Sequence, residues 1–223
     1  MKHESFNESS EMYLKTISEL AEDNDLVPIS ALAERLGVST VSATEMVHRL
    51  REQGLLDHRP YKGVTLTDDG DRRACRVIRR HRLWECFLAD HLHLPWQQVH
   101  DFACQLEHAT ADEVTEALAV FLGNPQTCPH GNPIPDADWV VPISTDQPLN
   151  EWEPGDRGTI TRIHPESVLL LDYLAARHIQ PGQPVAFTEV APFNGPLMMQ
   201  IGGQIHALGR EIAAHIYGIR VNE

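Results

Sequence analysis

The sequence predicts a mainly α-helical chain with a small β domain at its C-terminal end, and three observations carry that expectation. Residues 28–54 hold two short amphipathic helical stretches split by glycine, the pattern of a helix-turn-helix. Residues 68–122 keep apolar side chains at helical spacing through a long second part. From Asn150 onward the texture changes to short β-type runs separated by Gly and Pro, which predicts a small barrel. With 223 residues there is room for more than one such part, since domains commonly hold about 100–200 residues. The expected boundaries are 1–74 for a winged helix-turn-helix, 75–140 for a helical domain and 150–223 for the β domain.

No apolar run approaches the ~18 residues that a membrane span needs. The segment Met1–Glu8 lacks the apolar core of an export signal. A cytoplasmic chain with no membrane partner is therefore expected, its cysteines (Cys75, Cys86, Cys104 and Cys128) reduced. The net charge of −14 would argue against nucleic acid if it were evenly spread. It is not. Ten of the eighteen Lys and Arg residues lie between Arg49 and Arg82, whereas Leu83–Asp156 holds none and carries thirteen Asp or Glu. The first segment suits phosphate, and the second would be relieved of self-repulsion by a cation.

Taken in order, residues 10–22 show Met12-Tyr13, Thr16-Ile17 and Leu20-Ala21 at helical spacing behind the candidate caps Ser9 and Ser10. Ser30 is expected to cap the next helix, with Leu32, Ala33 and Leu36 inward and Gly37 ending it. Ser39 or Thr40 then caps a third helix that buries Val47 and Leu50 and stops at Gly54. Leu55-Leu56 and the run from Tyr61 predict a two-stranded wing around Arg59–Gly63. A recognition helix of this kind would present Ser39, Thr40, Ser42, Thr44 and Glu45 to base edges. Arg49, Arg51, Arg59 and Lys62 would grip phosphates. The partner expected is double-stranded DNA with a palindromic operator.

A long helix from Asp68 to about His91 carries six arginines between Arg72 and Arg82. Pro95-Trp96 precedes a helix bearing His100 to His108, and Thr110–Glu113 reads as a capping box for residues 113–122. Val114, Leu118 and Phe121 would share a face there. A homodimer joined through Trp96–Leu122 is expected, because a palindromic site needs two copies.

His100, Cys104, Glu107 and His108 fall within about 100° of one helical face. His81 and Glu85 form a second pair one turn apart. Imidazole, thiolate and carboxylate are the donor set of a transition-metal site, although any one of these residues could instead be solvated or packed. Cys128 and His130 lie in a rigid Pro- and Gly-rich loop with no partners near in sequence, so a metal role for them is the weaker reading. Residues 136–153 read as a polar linker. Strands are expected at Arg157–Ile163, Pro184–Val190, Pro196–Ile201 and Gln204–Leu208, interrupted by a helix over Ser167–Arg177 and a turn at Gly209–Ala214.

Glu11-Met-Tyr-Leu, the helix-turn-helix, Arg80-His-Arg-Leu, Val99–His108 and Gly131-Asn-Pro-Ile-Pro together resemble the diphtheria-toxin-repressor family of iron- and manganese-dependent regulators. The resemblance covers residues 9 to about 136. It implies an SH3-like, ferrous-transport-A-like C-terminal domain and two metal positions per chain for Fe2+ or Mn2+. Met12, Cys104, Glu107 and His108 match the family's activating site. His81, Glu85 and His100 match its ancillary site, with Glu166 as the candidate donor from the β domain. The function implied is a repressor controlling metal homeostasis, and the soft Met and Cys donors tilt the choice toward Fe2+. Two other readings stand beside it: a metalloenzyme, and a metal-independent regulator using Cys104 as a redox sensor.

Overall fold

The computed structural model describes residues 8–21, 26–142 and 144–221, which divide into two compact units. The expected helix end at Glu22 and the N-terminal segment 1–7 lie outside the described residues. Unit 1 comprises residues up to Arg80 together with Glu107–Thr110 and Pro135–Val140; unit 2 holds His81–Leu106, Ala111–Ile134 and Val141 onward.

In unit 1, α1 (Glu8–Leu20), α2 (Ile29–Leu36) and α3 (Thr40–Glu52) close around Tyr13, Leu14, Ile17, Leu32, Val47 and Leu50. Ser9 and Ser10 lie inside α1 rather than ahead of it. Ser30 likewise lies inside α2, whose N-cap is Pro28, in extended geometry with no side-chain bond; the proline ring presets φ there near the observed −62°. Gly37 ends α2 at φ 65°, giving its N–H to the last carbonyls. Ser39 caps α3 by accepting from the Ser42 N–H. The wing is a hairpin of β1 (Leu56–Arg59) and β2 (Gly63–Leu66), with Arg59 opposite Gly63. Val64 exchanges two backbone hydrogen bonds with Val27. A Cβ on Gly63 would stand 2.4 Å from the Val27 carbonyl oxygen, so only glycine lets the wing close on that segment. The helix α4 (Asp68–Cys86) begins in unit 1 and buries Ala74 in the same core.

Unit 2 continues from the end of α4 through one π-helical turn at Phe87–His91. Two helices follow, α5 (Val99–Glu107) and α6 (Asp112–Phe121). The N-cap of α6 is Ala111, without a side-chain bond, so Thr110 forms no capping box. Its buried face is Thr115, Leu118 and Ala119; Val114 and Phe121 are exposed. The β domain is one six-stranded antiparallel sheet in the order β3 (Gln147–Pro148), β8 (Ile216–Arg220), β4 (Arg157–Ile163), β5 (Pro184–Val190), β6 (Leu197–Ile201) and β7 (Gln204–Leu208). With α7 (Val168–Ala175) and the short α8 (Arg210–Ala213), it encloses Ile160, Ile163, Leu171, Leu174, Phe187, Met199 and Ile216. The strands at β4 to β7 lie where the alternation places them, and β3 and β8 add two that it does not reveal.

Candidate metal centre

Helical spacing builds the first half of a cluster in unit 2. His81 and Glu85 stand one turn apart on α4, and His100 and Cys104 one turn apart on α5. His81 Nε2 lies 2.9 Å from Glu85 Oε1 and 3.1 Å from His100 Nδ1, and His100 Nδ1 lies 3.3 Å from Glu85 Oε1. Glu166, on the turn leading into α7, brings Oε2 to 3.2 Å from His100 Nδ1. The four residues His81, Glu85, His100 and Glu166 thus converge, buried or nearly so. Cys104 faces the other edges of the same rings, its Sγ 3.9 Å from His81 Nδ1 and 3.8 Å from His100 Nε2.

The loop between α6 and the β domain adds two donors. His130 Nε2 donates to the Trp96 carbonyl at 2.8 Å, which leaves Nδ1 as the lone-pair edge. That Nδ1 lies 3.2 Å from Glu85 Oε1 and 3.6 Å from Glu166 Oε1. Cys128 Sγ is 3.8 Å from Glu166 Oε1. Asn132 donates to the Ile163 carbonyl at 2.8 Å and to Glu166, fixing the carboxylate. A Cβ on Gly131 would sit 1.9 Å from the Thr161 carbonyl oxygen, so glycine alone permits the loop to lie this close to β4.

The electrostatics are those of carboxylates held charged by cationic neighbours. Burial alone would push the Glu85 carboxyl up, yet the His130 and His81 charges and bonds from His100 hold it well below the usual range. Burial opposes charge on His100, but Cys104, Glu166 and Glu85 push it up to about 12. A divalent cation bound among these donors would supply positive charge to the same carboxylates.

In unit 1 a second pair forms at the end of α5. His108 Nδ1 donates to Glu11 Oε2 at 2.7 Å, and Arg80 donates to Glu11 Oε1 at 2.8 Å. Lys15 donates to Glu107 Oε2 at 2.8 Å. His108 Nε2, without a hydrogen-bond partner among the described residues, lies 3.3 Å from Glu107 Oε1. Two ligands ~2.2 Å from one ion and at right angles stand about 3.1 Å apart, so this spacing suits cis coordination. Met12 follows Glu11 on α1, half-buried.

The residues expected from the sequence to meet DNA lie on α3 and the wing. Ser39, Thr40, Ser42, Glu45, Arg49, Arg51, Arg59 and Lys62 are all exposed. Thr44 is half-buried and gives its hydroxyl proton to the Thr40 carbonyl at 2.7 Å, so it serves the helix before any base. Val41, unremarked in the sequence, is 69% exposed beside Ser42.

Models of the iron-dependent repressor match this chain twice, as the N-terminal DNA-binding domain over residues 5–64 and as the metal-binding and dimerisation domain over 67–136. A FeoA domain matches residues 147–220. The chain is similar to the iron-dependent repressor IdeR of Mycobacterium tuberculosis, 41% identical over 129 residues, or 57% of this chain and 56% of that protein. It is also similar to the diphtheria toxin repressor of Corynebacterium jeikeium, 40% identical over 135 residues, or 60% of this chain and 56% of that one. A solved structure of a manganese-dependent transcriptional repressor in complex with manganese superposes with a TM-score of 0.86 at 38% identity, covering 95% of this chain and 100% of the other. The chain belongs to the iron-dependent repressor family.

The match to the curated relatives spans little more than half of their length. As a member of this family the chain carries donors that fit a metal on its own geometry: Glu85 Oε2, buried without a hydrogen-bond partner among the described residues, and His108 Nε2 beside Glu107. Spacing along the chain could find His81 with Glu85 and His100 with Cys104. It could not find Glu11 and Lys15 as holders of His108 and Glu107, because each pair is separated by more than ninety positions.

Proposed function

We propose that this chain is a homodimeric, metal-dependent DNA-binding repressor of metal homeostasis, responding to Fe2+ or Mn2+. In this reading residues 1–74 read DNA, 75–140 bind metal and dimerise, and 150–223 form the SH3-like domain. The activating ligands are Met12, Cys104, Glu107 and His108; the ancillary ones are His81, Glu85, His100 and Glu166. A divalent ion supplies the positive charge that gathers these anionic and neutral donors.

One observation carries the reading: Glu11 and Lys15, one turn apart on α1, hold His108 and Glu107. The helix that supports the DNA-reading α3 through a shared core is therefore tied to two metal donors. Glu11 fixes the His108 tautomer so that Nε2 faces Glu107, and Lys15 engages one Glu107 oxygen while the other faces that Nε2. A ligand that favours one placement of His108 and Glu107 favours one placement of α1, which is the differential affinity that activation requires. Phe102, Val114, Val120 and Phe121 stay exposed on α5 and α6 and supply the apolar surface of a dimer. No helix among the described residues is long and apolar enough to cross a membrane.

The test is DNA binding by metal-free protein titrated anaerobically with Fe2+ and with Mn2+. Binding that rises with either ion is expected. Binding indifferent to chelator and sensitive to oxidant would favour the Cys104 redox reading instead.

A further inference from the structure

We propose that Tyr61, at the tip of the wing, is a DNA-contacting residue that enters the minor groove beside the major groove read by α3. This rests on the DNA-binding reading above and adds a residue and a groove to it.

The tip strains its own backbone. With Arg59 opposite Gly63, the loop between β1 and β2 is Pro60, Tyr61 and Lys62. The Lys62 N–H donates to the Arg59 carbonyl at 3.0 Å, closing a turn over these residues. Pro60 stands second in that turn, where its fixed φ fits, and Tyr61 stands third with φ 64°. A third position with positive φ ordinarily takes Gly or Asn, because a Cβ crowds the backbone there. The Tyr61 side chain returns nothing to the fold, being 107% exposed and outside the core of unit 1. A large aromatic, wholly exposed in a conformation that glycine would adopt freely, is placed for something outside the chain.

The neighbours say what that is. Arg59 and Lys62, both exposed, flank the ring with two positive charges, against Asp57 as the one acid of the hairpin. Such a tip suits the two phosphate strands that wall a groove, with the ring between them. The hairpin is also fixed relative to α3. The His58 ring on β1 meets the His48 ring on α3 edge to face, with 5.8 Å between centroids. On β2, Val64 is held to Val27 by backbone bonds of 2.8 and 2.9 Å. Each strand of the hairpin has four residues, a length of about 13 Å, close to the ~12 Å width of the major groove. With α3 in that groove, the tip passes the bordering phosphate strand and meets the minor groove. There the ring lies along deoxyribose, and its hydroxyl donates to adenine N3 or thymine O2. Guanine sets its 2-amino group in the way, so the contact favours A·T.

The experiment uses the full chain loaded with Mn2+ and a duplex that this protein recovers from a random-sequence library. Tyr61→Gly removes the ring and fits φ 64°, so the wing should stay folded and the melting temperature should not fall. Affinity for the recovered duplex should drop about tenfold, the scale of one aromatic contact with nucleic acid. The slope of affinity against salt should stay that of wild type, because the ring is uncharged. Lys62→Ala should instead lower that slope by about one. Base substitution at the positions flanking those met by α3 then identifies the groove. For wild type, changing A·T to G·C should weaken binding. Inosine paired with cytosine keeps the major groove of G·C but lacks the 2-amino group, and should restore it. Tyr61→Gly should bind all three duplexes alike. Wild-type affinity in Tyr61→Gly, or an unchanged response to the three pairs, would overturn the minor-groove contact. If metal-loaded wild type recovers no duplex, the functional reading fails; if it recovers one that Tyr61→Gly binds equally well, this inference alone fails.

Discussion

Lys15 Nζ lies 2.8 Å from Glu107 Oε2, and both side chains are almost wholly buried. A buried cation therefore already sits on one of the proposed activating ligands. Removing one partner of such a pair commonly costs about 3–5 kcal/mol. Lys15→Met should destabilise the metal-free protein by about 3 kcal/mol, and saturating Mn2+ should recover part of that loss because metal charge replaces ammonium charge. Urea unfolding with and without metal measures both quantities. An equal loss in the two conditions would separate Lys15 from metal binding.

Glu11 holds His108 through Nδ1, leaving Nε2 toward Glu107. Outer partners of ligating histidines are commonly worth about 10–100-fold in metal affinity. Glu11→Gln should raise the metal concentration at half-maximal DNA binding by that order, with the fold intact by circular dichroism. Glu107→Ala and His108→Ala should abolish the metal response altogether. His81→Ala should be milder, since the ancillary cluster is expected to stabilise more than to switch. Damage from His81→Ala equal to that from His108→Ala would reverse the ranking of the two sites.

What could be read from the chain alone was whatever is local. Ser39 as a cap, Gly37 and Gly54 as stops, and His81 with Glu85 one turn apart need only near neighbours. Ser30 and Thr110 misled because cap chemistry was present within two residues of the first helical residue, and Pro28 and Ala111 adopt the extended N-cap geometry without it. The strand Ile216–Arg220 stayed hidden because it is short, contains Gly218 and pairs with β4 some sixty residues earlier. Cys128 and His130 had no visible partners for the same reason. Glu85 and Glu166 reach them from far upstream and downstream, and no periodicity records that meeting.

Asp146 predicts an acid-sensitive tie in unit 2. Its buried carboxylate accepts from Arg162 at 2.9 Å and from the Thr161 hydroxyl at 2.7 Å. Burial pushes its pKa up, but the Arg162 and Thr161 bonds more than offset this and hold it below the ordinary value. A depressed folded-state value means stability that is present above the unfolded value of about 3.9 and lost as pH falls through the folded one. Asp146→Asn should cost on the order of 2 kcal/mol at neutral pH, as expected for a charged hydrogen-bond group. The variant and wild type should converge as pH falls through the depressed folded-state value of Asp146. Urea midpoints measured from neutral to acid pH give the comparison, and parallel curves would remove the tie.

The exposed Phe102, Val114, Val120 and Phe121 should be covered in solution by a second copy. Sedimentation at micromolar concentration should show a dimer, and Phe121→Glu should weaken it by placing a charge in an apolar contact. A monomer with and without metal would contradict the proposed interface.

Met12 is where packing and ligation predict different outcomes. It is half-buried next to Glu11 on α1, so a purely structural role is available to it. If it only packs, Met12→Leu nearly conserves volume and should cost under ~1.5 kcal/mol with the metal response intact. If its sulfur is a ligand, the same change deletes a donor that Leu cannot replace. The metal concentration at half-maximal DNA binding should then rise while the metal-free protein melts almost unchanged. Met12→Asp goes further, exchanging a soft donor for a hard carboxylate, and should tilt preference from Fe2+ toward Mn2+. We expect the ligand outcome in both variants, because Glu11 and Lys15 on the same helix already hold His108 and Glu107. Equal midpoints in wild type and Met12→Leu would return Met12 to the core and leave Glu11 and Lys15 as the whole of the link from α1 to the metal donors.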